Sequence, residues 1–90
     1  MFKLGQVVMT KGIASALEED ENFAMEVNTA LAKYQLGDWG VTCDEDAEMN
    51  DVAVQVGERI LAVYETYKGN IWIITEWNRS VTTILFPSEY

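Results

Sequence analysis

The second half of this chain contains three consecutive segments with the length and composition of β-strands. Residues 59–66, 70–77 and 80–86 are rich in Ile, Val, Thr, Trp and Tyr, which favour extended backbone. Gly69 offers a positive-φ position for the first connection, and Asn78 tolerates the left-handed region that a tight second turn needs. Because connections this short join antiparallel neighbours, the sequence predicts a C-terminal three-stranded antiparallel meander.

The first half predicts one strand followed by helices. Residues 2–9 are mostly apolar and rich in Val, which is typical of a strand, and Gly12 ends that pattern. Residues 13–17 favour one or two helical turns before an acidic run. Apolar residues at steps of three or four then predict a first main helix that ends near Gly37. The members of that apolar face are Phe23, Val27, Ala30, Leu31 and Tyr34.

A second main helix is predicted to begin close to residue 42. Thr42 and Glu45 match the capping box, in which the hydroxyl and the carboxylate satisfy backbone N–H groups at a helix start. Gly57 is expected to end this helix. Its apolar stripe is expected to be buried, and the members of the stripe are Met49, Val52, Ala53 and Val56.

Together these segments predict one α+β domain over residues 1–90. It has an N-terminal strand, two main helices and the three-stranded meander on which the helices pack. In the middle strand, Ile71 and Ile73 alternate with Trp72 and Ile74, so both faces of the sheet are apolar. Either the second face is covered as well or it binds a partner, and a homodimer through the sheet is one such arrangement.

Negative charge is concentrated in one part of the chain. The formal net charge is −9, but residues 12–58 alone carry −11, whereas residues 59–90 are neutral. Direct nucleic-acid binding is disfavoured because it depends on Lys and Arg that displace counterions. A basic protein or a nucleic-acid-binding enzyme is the more natural partner, met by an acidic helical face that imitates DNA. The acids assigned to this face are Glu18, Glu19, Asp20, Glu21, Asp44, Glu48 and Asp51. A solvated surface that only maintains solubility is the alternative.

The chain has no His and a single Cys, and this excludes several kinds of site. Ser-His and Cys-His catalytic pairs cannot form, and a zinc site of the usual kind lacks ligands. The acids after residue 43 do not form an EF-hand loop, because Met49 and Gln55 stand where glycine and glutamate are required. No metal or other cofactor is therefore expected. No apolar run approaches the length of a membrane span or a leader, so a cytoplasmic protein without membrane contact is expected.

A second functional hypothesis is a small-ligand site or a minor enzyme. Five polar residues would line one pocket in which an arginine holds an anion. These residues are Asp38, Tyr64, Glu76, Arg79 and Thr83. The simpler interpretation is that Trp39 fills the core while Asp38 caps a turn, and that an Arg–Glu pair stabilises the meander.

Several motifs are spread over nearly the whole chain. They are Leu4-Gly5-Gln6, the GDWG sequence at 37–40, Asp46, Asn50, residues 57–61, Tyr64, IWIITE at 71–76, Arg79-Ser80 and TTILFPSEY at 82–90. In these motifs the chain resembles a family of short bacterial proteins labelled plasmid-related. The resemblance implies a cytoplasmic protein carried on mobile elements, and it implies no particular activity. The leading hypothesis is therefore a non-enzymatic, protein-binding accessory factor of a mobile element.

Overall fold

The strands of the computed structural model, which describes residues 2–90, form one four-stranded sheet. They are β1 (Gln6–Met9), β2 (Ile60–Thr66), β3 (Gly69–Thr75) and β4 (Val81–Leu85), in the spatial order β1-β4-β3-β2. The pairs β2–β3 and β3–β4 are antiparallel, as the short turns predict, but β1 joins the sheet in parallel with β4. The α+β class is confirmed. The sheet is mixed rather than a purely antiparallel meander, because the N-terminal strand is added at its edge.

Three helices connect β1 to β2, as expected from one short helical segment and two main helices, and the first helix is longer than the one or two turns predicted for residues 13–17. They are α1 (Lys11–Glu19), α2 (Glu21–Gln35) and α3 (Asp44–Val56), and a 3₁₀ turn, Pro87–Glu89, follows β4. The break between α1 and α2 lies at Asp20, whose carboxylate accepts hydrogen bonds from the N–H groups of Asn22 and Phe23. An Asp in this N-cap position satisfies donors that have no partner within the helix. The acidic run is therefore a helix boundary as well as a charged surface.

The capping box predicted for α3 is wrong. Cys43 occupies the N-cap position, and no side chain accepts a capping hydrogen bond there. The Thr42 hydroxyl instead donates to the carbonyl of Trp39 and accepts from the N–H of Val63, 2.9 Å away. The hydroxyl therefore fastens the loop to the sheet, a use that the local tetrapeptide pattern does not reveal.

The buried stripe predicted for α3 is also largely wrong. Met49, Val52 and Val56 are 67%, 56% and 61% exposed, and the buried residues of this helix are Asn50 and Ala53. Helical spacing identifies an apolar face, but it does not say whether that face meets the protein or the solvent. Here the helix lies along the edge of β2, and its Asn50 side turns inward because the edge offers polar backbone groups.

The hydrophobic core lies between one face of the sheet and the helices. Its largest fully buried side chains include Tyr34, Phe23, Ile60 and Ile73. The Tyr34 hydroxyl donates to the Thr75 hydroxyl at 2.7 Å, and a further 2.7 Å bond links Thr75 to Thr82. Within residues 2–90 no buried side-chain polar atom lacks a hydrogen-bond partner. This chain of hydroxyls therefore enters the core at little cost in desolvation.

The second face of the sheet is partly covered by the C-terminus of the chain. Ile74 and Leu85 are buried there, and the ring of Tyr90 packs edge-on to Trp72 with centroids 5.4 Å apart. The Glu89 carboxylate accepts hydrogen bonds from the Thr10 hydroxyl and, at 2.9 Å, from the Gly12 N–H. The second face was expected either to be covered or to bind a partner, and the chain itself covers part of it.

None of the helices within residues 2–90 has both the length and the apolar character needed to cross a membrane.

Candidate functional site

The outer edge of β2 is closed at Leu61 and Val63 by side chains and by a loop. The Asn50 amide donates to the Leu61 carbonyl at 2.8 Å and accepts from the Leu61 N–H at 3.3 Å. Two residues along, the Val41 N–H donates to the Val63 carbonyl at 2.8 Å. These bonds take the place of a neighbouring strand, and they hold the loop of residues 37–42 against the sheet.

The loop itself is stabilised by its aromatic residue and by a glycine. Trp39 is only 6% exposed, and its indole N–H donates to Asp51 at 2.8 Å. Gly40 has φ 66° and lies so close to Val63 and Tyr64 that a Cβ would overlap with both residues. The Asp38 carboxylate accepts from the Gly40 N–H at 3.1 Å. Trp39 therefore fills the core and Asp38 closes a turn, which is the simpler of the two interpretations of this segment.

A groove of about 700 Å³ lies between α2, this loop and the end of β2. One wall is a continuous face of α2, formed by Asn22, Met25, Glu26, Thr29, Ala30 and Lys33. The other wall is formed by Asp38, Gly40, Val41, Tyr64 and Glu65. Along α2 the groove covers eleven residue steps, or about 16 Å at the helical rise.

The charged side chains of the groove are mostly acidic. The residues that line it include three acids, Glu26, Asp38 and Glu65, and a single base, Lys33. The hydroxyl of Tyr64 donates to the Asp38 carbonyl at 2.6 Å, which joins the base of the groove to its rim. A groove with this charge favours a positively charged ligand over an anion.

The acids assigned from the sequence to one face lie in two separate places. Glu18, Glu19, Asp20 and Glu21 lie at the junction of α1 and α2, whereas Asp44, Glu48 and Asp51 lie on α3. Two of these acids have structural partners. Asp20 caps α2 and pairs with Lys68 at 3.8 Å, and Asp51 accepts from Trp39. The remaining five are exposed and free to meet a partner.

The five residues of the small-ligand hypothesis do not line a common cavity. Asp38 and Tyr64 lie in the groove, whereas Glu76 and Thr83 line a smaller cavity of about 240 Å³ at the other face of the sheet. Arg79 lines neither of them. The structure therefore divides the set instead of gathering it into one pocket.

The guanidinium of Arg79 is used within the fold. It donates to the carbonyls of Ala53, Glu58 and Glu76 at 2.8, 2.7 and 3.1 Å. These bonds tie the C-terminal end of α3 to the turn between β3 and β4, and they occupy donors that an anion would need. The ion pair in this region is Arg59–Glu76 at 3.5 Å, with both side chains well exposed.

The two buried tyrosines of the core are not suited to proton transfer near neutral pH. Burial raises the pKa of Tyr34 to about 12, against the lowering effect of its hydrogen bond to Thr75. Burial, with the Asp38 carboxylate as a second cause, also raises the pKa of Tyr64. Both hydroxyls therefore remain neutral hydrogen-bond donors. Residues 2–90 also contain no group of three His, Cys, Asp or Glu side chains placed to hold a metal ion.

The sequence carries little signal for several of the groove residues. Met25 and Glu26 carry no motif, and Val41 has the character of an ordinary loop residue. Lys33 gave one usable signal, because it is the only base between residues 12 and 58. Asn50 gave no signal beyond its place in the family resemblance, since its role depends on a strand eleven residues away.

Comparison with protein-family models, with curated proteins and with solved structures found no match for this chain.

Proposed function

We propose that this chain is a non-enzymatic protein-binding factor whose acidic helical surface docks on a basic protein. The observation that carries this proposal is the lack of internal neutralisation. Of fifteen acidic side chains, only Asp20 and Glu76 take part in ion pairs within residues 2–90. Unpaired exposed carboxylates attract a cationic surface over a range set by the ionic strength.

The N-terminal half of α3 supports the finer proposal that the surface imitates DNA. Five carboxylates lie between residues 44 and 51, at Asp44, Glu45, Asp46, Glu48 and Asp51. Seven residue steps of helix measure about 10 Å, which gives one negative charge per roughly 2 Å of axis. Duplex DNA carries one per about 1.7 Å. A nucleic-acid-binding enzyme is therefore the partner that this charge density suits. The setting of a bacterial mobile element rests on the family resemblance alone.

Affinity capture at two ionic strengths tests the proposal. The chain is immobilised, exposed to bacterial lysate in about 0.1 M salt and washed in about 1 M salt, where the screening length falls from about 10 to about 3 Å. We expect one or more nucleic-acid-binding proteins to elute in the wash. We also expect duplex DNA to compete with the immobilised chain for them.

A pair of matched variants makes the test specific to α3. The variant with Asp44→Asn, Glu45→Gln and Glu48→Gln removes three charges, whereas Asp44→Glu, Glu45→Asp and Glu48→Asp keeps them. The neutral variant should lose the captured protein and the charge-conserving variant should keep it. Capture that is indifferent to salt, or that both variants retain equally, would contradict the proposal.

A further inference from the structure

The groove between α2 and the loop of residues 37–42 combines negative charge with exposed apolar side chains. Met25 on one wall is 68% exposed and Val41 on the other is 49% exposed. Apolar side chains on both walls of one groove are typical of a surface that receives another chain. We propose that this groove binds a short, extended, basic segment of a partner protein, an inference that rests on the protein-binding function proposed above.

The charges of the groove point to a basic segment. Three acids and one base line the groove, with Glu26 on one wall and Asp38 and Glu65 on the other, so an arginine or lysine side chain meets net negative charge. The aliphatic part of such a side chain can pack against Met25 or Val41 while its charged end reaches the rim. An acidic segment would meet like charge on both walls, which disfavours it.

The edge of β2 favours an extended conformation of the bound segment. Leu61, Val63 and Glu65 are the positions whose backbone groups face away from β3, and the first two are bonded to Asn50 and to the loop. Glu65 is the next position in this series and lines the groove, and its N–H and C=O bond to no other group within residues 2–90. An extended segment can bond to these two groups as an added strand does. The groove length of about 16 Å corresponds to about five extended residues.

A synthetic peptide of about seven residues that alternates Arg and Leu, blocked at both ends, is a direct probe, since about five extended residues span the groove. Its binding is measured by fluorescence anisotropy, and the binding site is mapped from amide chemical-shift changes in the ¹⁵N-labelled chain. We expect the largest shifts at Met25, Glu26, Val41 and Glu65. A peptide of the same length that alternates Glu and Leu should not bind.

Two double variants with the same loss of charge separate the groove from the rest of the acidic surface. Glu26→Gln with Glu65→Gln lies in the groove, whereas Glu45→Gln with Glu48→Gln lies on α3. The groove variant should weaken peptide binding by about tenfold or more, and the α3 variant by about twofold or less, as expected for direct and for screened charges. Circular dichroism and thermal unfolding verify that both variants are folded. The amide oxygen that Glu26→Gln introduces can still accept the hydrogen bond from the Tyr67 N–H.

The outcomes of the two sets of experiments are distinguishable. Equal weakening by both double variants, or shifts confined to α3, would overturn the groove as the binding site and leave the acidic protein-binding surface standing. Absence of binding by the Arg-Leu peptide would likewise overturn the inference. Failure of the salt-dependent capture with its α3 variants would instead remove the proposed function itself.

Discussion

The two outer edges of the sheet differ in whether other parts of the chain bond to their backbone groups. On β2, the outward-facing groups of Leu61 and Val63 are bonded to Asn50, Val41 and Thr42, so that a helix and a loop replace a missing strand. On β1, no strand pairs with the outer side within residues 2–90, and Val7 and Met9 are 39% and 40% exposed. Long apolar edges invite pairing with other chains, whereas short ones do so less.

The difference follows from length and from flanking charge. Strand β2 has seven residues, whereas β1 has four and is followed closely by the helical residue Lys11. Lysine beside an edge strand opposes the approach of a second strand, and a four-residue edge offers few hydrogen bonds. The fold therefore covers the long edge at Leu61 and Val63 and leaves the short edge open.

The largest expected effect comes from Gly40, where the loop crosses the β2 edge. Gly40→Ala places a Cβ against the backbone of Val63 at a positive φ, so unfolding free energy should fall by about 3 kcal/mol. Gly57→Ala is the matched control, because Gly57 also has a positive φ but open space around it. It should cost only about 1 kcal/mol. Urea denaturation measures both, and equal losses would show that contact with β2 is unimportant.

Removal of the Asn50 side chain should have the next largest effect. Asn50→Ala deprives the N–H and C=O of Leu61 of their partners at a half-buried edge, so we expect a loss of about 2 kcal/mol. The Leu61 amide should also exchange its hydrogen faster. Gln55→Ala on the exposed side of the same helix should change stability by less than about 0.5 kcal/mol. Slow exchange at Leu61 in the Asn50 variant would contradict the role assigned to this amide.

A smaller, pH-dependent effect is expected at Glu89, which fastens the corner after β1. The hydrogen bond from Thr10 is the main cause that holds the pKa of Glu89 below its usual value. Because the folded-state pKa is lowered, its stabilising contribution is present above the unfolded-state pKa and is lost as the pH falls. The protection factor of the Gly12 amide, which compares its exchange rate with that of an unfolded chain at the same pH, should therefore fall as the pH drops below the usual titration range of glutamate.

Glu89→Gln provides the comparison for the titration. This variant keeps one oxygen acceptor and cannot titrate, so the acid-dependent loss of Gly12 protection should disappear. Glu48→Gln, at an exposed position on α3, should leave that pH dependence unchanged. Persistence of the acid effect in the Glu89 variant would assign it to another carboxylate.

The smallest effect is expected on the open edge. Val7→Thr preserves the shape and β-branching of a half-exposed side chain, so stability should change by less than about 0.5 kcal/mol. The same replacement at Val63 alters the strand to which the loop of residues 37–42 is bonded, and it should lower the free energy of unfolding by a larger amount. Thermal unfolding compares the two variants. Equal losses would show that the two edges are equally constrained and would remove the contrast between them.

Much of the sheet could be predicted from the sequence because its signals are local. The runs after residue 59, Gly69 and a turn at residues 78–79 predict β2, β3, β4 and their antiparallel pairing, which the structure confirms. The left-handed residue of the second turn is Arg79, with φ 59°, and not Asn78 as predicted. The parallel partner of β1 could not be predicted. Gln6 pairs with Val81, and nothing in either short segment specifies so distant a neighbour along the chain. Of the seven acids assigned to the acidic face, all except Asp20 are exposed, and Asp20 and Asp51 have structural partners.

The candidate site was harder to foresee than the fold. Asp38 and Tyr64 were singled out as pocket residues, and the structure does bring them together. Their other expected neighbours lie elsewhere, because alternation along a strand sends Tyr64 and Thr83 to opposite faces. Met25, Glu26 and Val41 became groove residues only when α2 and the loop were placed side by side.

The sequence by itself determined the class of the fold, the positions of its helix boundary at Asp20 and its turns, and the segregation of charge between two halves of the chain. These properties follow from local backbone preferences and from composition. Only the tertiary structure decided which side of α3 faces the protein, which sheet edge is closed, and where the acids adjoin a groove. Those outcomes depend on contacts between distant segments: Asn50 turns toward the sheet because it pairs with the N–H and C=O of Leu61, which an apolar side chain such as that of Met49 would leave without partners.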